Sequence, residues 1–149
     1  MGWVSPTSHF DFSEIWVDPT NAYDENTGTE TWDPEGNNWL ELIRDAIECS
    51  KVRFYYISDG YGDSLFIQID VYYGGAWHKI FDAKTGGIEE WQEFEVGSIQ
   101  TITKCRIKST QIDEQELFFS EMDFWEEGEA KLGEKTANMG AKMVAGGFI

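Results

Sequence analysis

Apolar and polar residues alternate along several short runs of this chain, with the period of two that is typical of β-strands. The clearest run covers residues 65–73. It has aliphatic residues on one face and polar residues on the other: Leu65, Ile67, Ile69 and Val71 against Gln68 and Asp70. The alternation predicts a strand whose aliphatic face lies in the core and whose polar face points to solvent.

Similar runs recur along most of the chain, at residues 51–57, 76–81, 91–96, 101–108 and 117–125. The Gly74-Gly75 pair between two runs predicts a tight hairpin. No helical period persists between the runs. Many short strands separated by polar turns are typical of an all-β, antiparallel β-sandwich. We expect three tryptophans within these strands to lie in its core, since large rings dominate such cores: Trp39, Trp77 and Trp125.

The length of 149 residues suits one domain, and 28 acidic against 11 basic residues give a net charge of −17. Such a chain lacks the basic stripe that neutralises phosphates, so we expect no nucleic-acid binding. No apolar run approaches a membrane span, which predicts no membrane insertion. The N-terminus lacks the basic and apolar regions of a signal peptide, so we expect use without export. Reduced Cys49 and Cys105 fit that expectation.

Motifs for catalysis are missing. His9 and His78 lie in different regions, with no Cys or Ser motif beside them, and no glycine-rich phosphate loop opens a helix. Adjacent acidic residues are expected to form solvated faces. The sequence therefore predicts a non-enzymatic protein, with a small glycoside hydrolase as the least favoured alternative, because the spacing between carboxylates stays open.

One tight loop offers several hard oxygen ligands. Asp24, Asn26 and Thr29 lie within six residues, and Glu121 near the end of the chain could close the shell. Oxygen-rich sites of this kind suit Ca²⁺, which takes six to eight oxygen ligands. In the alternative interpretation the loop is an Asx-turn, and Glu121 accepts hydrogen bonds from its backbone.

Residues 20–126 resemble a discoidin domain, the coagulation-factor type C or galactose-binding-like β-sandwich. The family pattern matches in order at Ala22, Asp24, Asn26, Thr29, Trp32, Trp39-Leu40-Glu41-Leu42, Val52-Arg53-Phe54, Gly75-Ala76-Trp77, Trp91-Gln92-Glu93-Phe94, Arg106-Ile107 and Glu121-Met122. The resemblance implies a jelly-roll fold with a structural Ca²⁺ at Asp24, Asn26, Thr29 and Glu121. Two departures fall in the loop: Glu25 stands where the family has Gly, and Trp32 lies one residue further from Thr29.

Loop aromatics in this family often contact ligands. Tyr61, between Gly60 and Gly62, and Trp32, before Asp33-Pro34, are the corresponding candidates here. The alternative for both is simple packing against a neighbouring loop.

Two phage-like segments and the C-terminal tail suggest a context. Ser5-Pro6-Thr7-Ser8-His9, and the run from Val71 to His78, resemble small proteins of tailed bacteriophages. After Gly128 the composition changes to a nearly uncharged tail with spaced apolar residues: Met139, Met143, Val144, Phe148 and Ile149. We expect this tail to act as an assembly arm, with packing on its own domain as the alternative.

The predicted organisation is an N-terminal extension (1–19), a discoidin-like sandwich (20–127) and an extended C-terminal arm (128–149). The favoured function is a virion structural protein, a capsid decoration or tail component assembled in the host cytoplasm. Its partners would be copies of itself or other virion proteins, with a cell-surface glycan as a further ligand. The alternative function is a freestanding carbohydrate-binding module.

Overall fold

The computed structural model describes residues 1–110 and 116–128. Within these ranges the chain forms an all-β fold with one short 3₁₀ helix at Pro19–Tyr23. The strands are β1 Gly2–Val4, β2 Ser8–Phe10, β3 Thr31–Asp33, β4 Leu40–Tyr55, β5 Phe66–Tyr73, β6 Ala76–Lys84, β7 Trp91–Ser109, β8 Leu117–Phe119 and β9 Glu121–Glu126. Every strand pair is antiparallel, so the predicted antiparallel β-sandwich is confirmed.

One large sheet holds most of the strands in the order β1-β9-β4-β7-β5-β6, with β2 also paired to β4. A two-stranded sheet of β3 and β8 lies apart from it. β4 and β7 are the long central strands, and irregularities in their register between Ile43 and Ile47 and between Cys49 and Lys51 interrupt the ladder. Such bulges bend a strand and increase its twist.

The predicted N-terminal extension takes part in the sheet. β1 pairs with β9, with Trp3 opposite Trp125, and β2 pairs with β4, with His9 opposite Leu42. The predicted arm from residue 129 onward, with Met139, Met143, Val144, Phe148 and Ile149, lies outside the described residues.

The alternation in residues 65–73 is largely confirmed. The four predicted core residues are almost completely buried: Leu65, Ile67, Ile69 and Val71. The hairpin at Gly74-Gly75 is present, and both glycines have positive φ, 62° and 83°. Asp70 faces the outer side of the sheet as predicted, but it is only 3% exposed. Arg106 covers it, with Nη2 2.8 Å from Oδ2, so this side chain does not point into solvent.

The prediction of a tryptophan core is wrong. Trp39, Trp77 and Trp125 are only half-buried, on the outer surface of the sheet. The reason is cationic cover: the Arg106 guanidinium lies 4.0 Å from the Trp39 ring and 4.2 Å from the Trp77 ring, and Lys51 lies 5.2 Å from Trp125. The core consists mainly of aliphatic residues and phenylalanines such as Phe54, Phe119 and Phe124, and Trp16 is the one tryptophan of the described residues that is buried in it.

Several loops meet at one end of the sheet. Leu40 on β4 and Ile69 on β5 both pair with Ile107 on β7, which aligns the three strands in one row. The loops that precede β4 and β5 (34–39 and 59–65) and the loop that follows β2 (11–15) therefore lie at the same end. We call these three loops the loop end.

Candidate functional site

Tyr61 is presented to solvent by a tightly hydrogen-bonded turn at the loop end. Its side chain is 85% exposed. The Asp59 carboxylate accepts the backbone N–H groups of Tyr61 at 2.8 Å and Asp63 at 3.1 Å, and the Asp59 N–H donates to the Asp63 carbonyl. An aspartate bonded to the backbone ahead of it in this way is an Asx-turn, which holds the loop without a hydrophobic anchor. The exposed ring is thus carried by an ordered backbone.

Gly60 explains how this turn approaches the second sheet. Its φ is 90°, and a Cβ at this position would lie 2.5 Å from the Phe118 ring. Only glycine combines a positive φ with such a close approach. The backbone of Ser58 exchanges two 3.0 Å hydrogen bonds with Phe118, which fixes the loop against β8.

Trp32 meets the same phenylalanine from the neighbouring strand. The Trp32 and Phe118 rings stack with centroids 5.3 Å apart and planes inclined by 11°. The Trp32 backbone is held in turn by paired hydrogen bonds to Val17. Phe118 therefore stacks on Trp32 and lies against Gly60, the residue before Tyr61. We call Tyr61, Phe118 and Trp32 the aromatic edge.

Phe118 is the member of the aromatic edge that the sequence analysis missed. The alternation in residues 117–125 groups it with Met122 and Phe124, which are both buried. Phe118 lies instead on β8, a separate short strand, and is half-buried. The Glu116 carboxylate lies beside Gly60 and adds a hydrogen-bond acceptor to this surface.

The candidate cation loop forms the predicted hydrogen-bonded turn. Asp24 accepts the Asn26 N–H at 3.0 Å and the Thr29 hydroxyl at 2.6 Å. Asn26 accepts the Gly28 N–H at 2.8 Å. Glu25, at the position where the family has Gly, has the left-handed φ of 62°. Its N–H points at Glu121, so the loop reaches β9 in spite of the substitution.

Glu121 brings the distant carboxylate to this loop. Its Oε2 accepts the Glu25 N–H at 2.6 Å, whereas its buried Oε1 has no hydrogen-bond partner within the described residues. Burial, together with the neighbouring Asp24 and Asp123 carboxylates, raises the pKa of Glu121 to about 8. An orphaned buried oxygen beside a second carboxylate is a donor set that fits a hard cation. Among the described residues there is no group of three or more His, Cys, Asp or Glu that could hold a metal.

A cleft of about 640 Å³ opens next to Glu121, between the N-terminal segment and β4. Of its two arginines, Arg53 donates to Asp123 through Nε and Nη2, and Arg44 donates to the Ser5 carbonyl through Nη1. The buried Arg44 Nε has no hydrogen-bond partner within the described residues. The cleft walls are thus tied together by internal pairs.

Cys49 and Cys105 are both buried and unbridged, and burial raises the pKa of each thiol. No helix within residues 1–110 and 116–128 has the length and apolar character to cross a membrane.

No family model matches the sequence, and no curated protein matches it either. Solved structures do match. The CBM32 of AlyQ in complex with 4,5-unsaturated mannuronic acid has a TM-score of 0.67 at 11% identity, over 83% of this chain and 98% of that one. The family 32 CBM of Clostridium perfringens NanJ in complex with galactose has a TM-score of 0.65 at 11% identity, over 80% and 93%.

An F5/8 type C domain from Bacteroides fragilis is also similar, with a TM-score of 0.60 at 14% identity, over 85% of this chain and 97% of that one. The discoidin-like fold expected from the sequence is therefore confirmed. These identities are low, so the similarity concerns the fold.

Proposed function

We propose that this protein is a non-catalytic carbohydrate-binding module that contacts its ligand with the aromatic edge. The observation that carries the proposal is Tyr61, an exposed ring on an ordered turn that adjoins the Trp32–Phe118 stack. An exposed aromatic ring on an ordered loop is the usual form of a binding residue on a rigid scaffold.

The chemistry of this edge suits a saccharide. A sugar ring has an apolar face that packs on an aromatic ring and hydroxyl groups that need hydrogen-bond partners. The Glu116 carboxylate beside Gly60 supplies an acceptor for those hydroxyls. The solved structures of similar fold support this choice of ligand, since two of them hold galactose and 4,5-unsaturated mannuronic acid.

A virion role stays a prediction from sequence. It depends on the phage-like segments and on the apolar tail, whose five candidate assembly residues lie outside the described residues. A carbohydrate-binding module could serve in such a particle, so the two functions are compatible.

A structural Ca²⁺ is the second part of the proposal. Asp24, Asn26, Thr29 and Glu121 would hold it, and the orphaned Glu121 Oε1 supports this assignment. When bound, the ion would supply positive charge between two carboxylates that otherwise repel each other. These residues would then tie the loop to β9 and stabilise the fold.

A glycan array with the full chain and two variants tests the ligand proposal. Tyr61→Ala should weaken binding to the best glycan by about tenfold or more, equivalent to about 1.4 kcal/mol. Ile99→Ala is the matched control, because Ile99 is also exposed but lies far along β7 from the loop end. It should leave binding unchanged, and both variants should keep the melting temperature of the parent.

Two results would count against the proposal. One is the absence of binding to any glycan by a folded parent protein. The other is equal binding by the parent and Tyr61→Ala, which would remove the aromatic edge from the site.

A further inference from the structure

The outer face of β7 gathers basic residues on an otherwise acidic protein. Lys104, Arg106 and Lys108 alternate with the buried Cys105 and Ile107, so all three project from the same side of the strand. The chain holds only 11 basic residues in a net charge of −17. Lys104 and Lys108 lie about 13 Å apart along the strand, at about 3.3 Å per residue.

Aromatic rings border this row of cations. Lys108 Nζ lies 4.6 Å from the Trp39 ring, and Lys104 Nζ lies 4.5 Å from the Tyr72 ring. Trp77 packs against Tyr72 with a centroid distance of 5.2 Å. The rings are half-buried, so their outer edges reach solvent. We call Lys104, Arg106, Lys108 and the bordering Trp39, Tyr72 and Trp77 the basic face.

The two lysines differ from the arginine between them in their partners. Arg106 is paired with Asp70, with Nε 2.9 Å from Oδ2. Lys104 and Lys108 form no ion pair with any carboxylate in the part of the chain that the structure describes. In the strand register Asp70 and Glu41 lie opposite Arg106, not opposite either lysine.

A second aromatic cluster of the protein provides a comparison. Lys51 also lies over tryptophan rings, 5.5 Å from Trp3 and 5.2 Å from Trp125. Its ammonium is paired with Glu93 at 3.0 Å, and Glu95 and Glu127 add negative charge nearby. A lysine over aromatic rings is therefore neutralised by carboxylates at Lys51, whereas Lys104 and Lys108 on β7 keep their positive charge.

We propose that the basic face binds a linear anionic polysaccharide, with Lys104 and Lys108 contacting two acidic groups that lie a few sugar rings apart along the chain. The charge of the two lysines complements carboxylate or sulfate groups, and the edges of Trp39 and Trp77 offer apolar surface to the sugar rings. The basic face and the aromatic edge share no residue: the three basic residues lie on β7, whereas Trp32 and Phe118 lie on β3 and β8. The existence of this site does not depend on the aromatic edge.

The net negative charge of the protein disfavours densely charged polyanions such as DNA as ligands of the basic face. Double-stranded DNA carries a charge about every 1.7 Å of helix axis, and its binding needs many phosphate contacts. Two unpaired lysines on a protein of charge −17 supply too few. A polysaccharide with spaced acidic groups meets these lysines and brings less repulsion from the acidic remainder of the surface.

Calorimetric titration of the full chain with polygalacturonate, dextran sulfate and neutral dextran tests this inference. The parent should bind one or both polyanions and not dextran, and binding should weaken as salt is added. Lys104→Ala/Lys108→Ala should lower that affinity by about tenfold or more. A preference for polygalacturonate or for dextran sulfate then identifies the acidic group.

Three controls keep the test specific. Lys51→Ala should bind the polyanion like the parent, because Glu93 already neutralises Lys51, and Tyr61→Ala should too, because Tyr61 lies at the loop end. Poly-glutamate should bind much more weakly, since it offers charge without sugar rings. Equal losses from Lys51→Ala, a loss from Tyr61→Ala, tight poly-glutamate binding, or no effect of the double lysine variant would each overturn the assignment.

Discussion

Two arginines hold tryptophan rings on the outer surface of the sheet. Each of two arginines lies between two indole rings: Arg53 between Trp3 and Trp91, and Arg106 between Trp39 and Trp77. Each is also paired with a buried aspartate, Asp123 or Asp70. Stacking on a guanidinium satisfies the faces of a ring while its edge stays in water. Large aromatic residues can therefore lie outside the core without forming an exposed apolar patch.

Glu121 predicts a link between pH, cation and stability. Its folded-state pKa of about 8 is above its ordinary value of 4.5. The proton taken up on folding therefore stabilises the native state fully below about pH 4.5, and this contribution is lost as pH rises through 8. Ca²⁺ needs the ionised carboxylate. We expect the rise in melting temperature with Ca²⁺ to be larger at pH 9 than at pH 6, as measured by thermal denaturation.

Two carboxamide variants check this prediction. Glu121→Gln should remove most of the Ca²⁺ effect and its pH dependence, because a neutral amide neither titrates nor offers a charged ligand. Glu126→Gln, on the same strand β9 but more exposed, should behave like the parent. Melting curves that do not respond to Ca²⁺ at either pH would favour the purely hydrogen-bonded loop.

The sequence predicts which residues of a single strand share a face. It does not predict which side chains from other strands cover the outer face. The pattern places Ile67 and Ile69 inside and Asp70 outside, and the structure agrees on the faces. The burial of Asp70 depends on Arg106, which is distant in sequence and adjacent only through the pairing of β5 with β7. A pattern within one run carries no information about such a partner.

Among the structural elements, β4 and β7 are longer than their sequence patterns indicate. The runs at 91–96 and 101–108 are parts of one strand, β7 Trp91–Ser109. Gly97, with φ of 105°, and the exposed residues beside it break the alternation where the register shifts. Bulges of this kind change which face each residue occupies, so a period-two search ends there although the strand continues.

The N-terminal strand β1 gives a prediction at the scale of elements. Trp3 packs on Trp125 at 5.0 Å and on the Arg53 guanidinium at 4.3 Å. Trp3→Ala should therefore lower the free energy of unfolding by about 1–3 kcal/mol, through lost ring and cation contacts. Denaturant titration would measure the change.

Phe12→Ala is the matched control for that variant. Phe12 is an aromatic residue of the same N-terminal segment, but it is 87% exposed. Its replacement should change the unfolding free energy by no more than about 0.5 kcal/mol. If Trp3→Ala also left the unfolding free energy almost unchanged, β1 would contribute little to the stability of the sandwich.

At the scale of the whole molecule, the order of short motifs along the chain predicts the fold better than any one of them. Leu40-Glu41-Leu42, Val52-Arg53-Phe54 and Glu121-Met122 fall on β4 and β9, which are neighbouring strands of the sheet, and Trp39 directly precedes β4. The aromatic edge could be predicted only in part. Tyr61 and Trp32 are visible in the sequence, whereas their junction at Phe118 requires the pairing of β3 with β8 across the chain.

The net charge affects the behaviour of the whole molecule in solution. A net charge of −17 favours solubility and opposes self-association. The basic face is a local patch of positive charge on this acidic protein, and it shares no residue with the aromatic edge. The protein thus presents two surfaces of different chemistry, which makes their ligands separable by experiment.

Mapping a bound saccharide onto the folded chain tests the central claim most directly. Isotope-labelled protein would be titrated with the best neutral glycan from the array, and amide chemical shifts would be followed by NMR. The account predicts shifts concentrated at residues 59–63, 31–33 and 117–119, with the rest of the sheet unchanged. Shifts confined to other surfaces, or none as the glycan is raised to saturating concentration, would contradict a carbohydrate site at the aromatic edge.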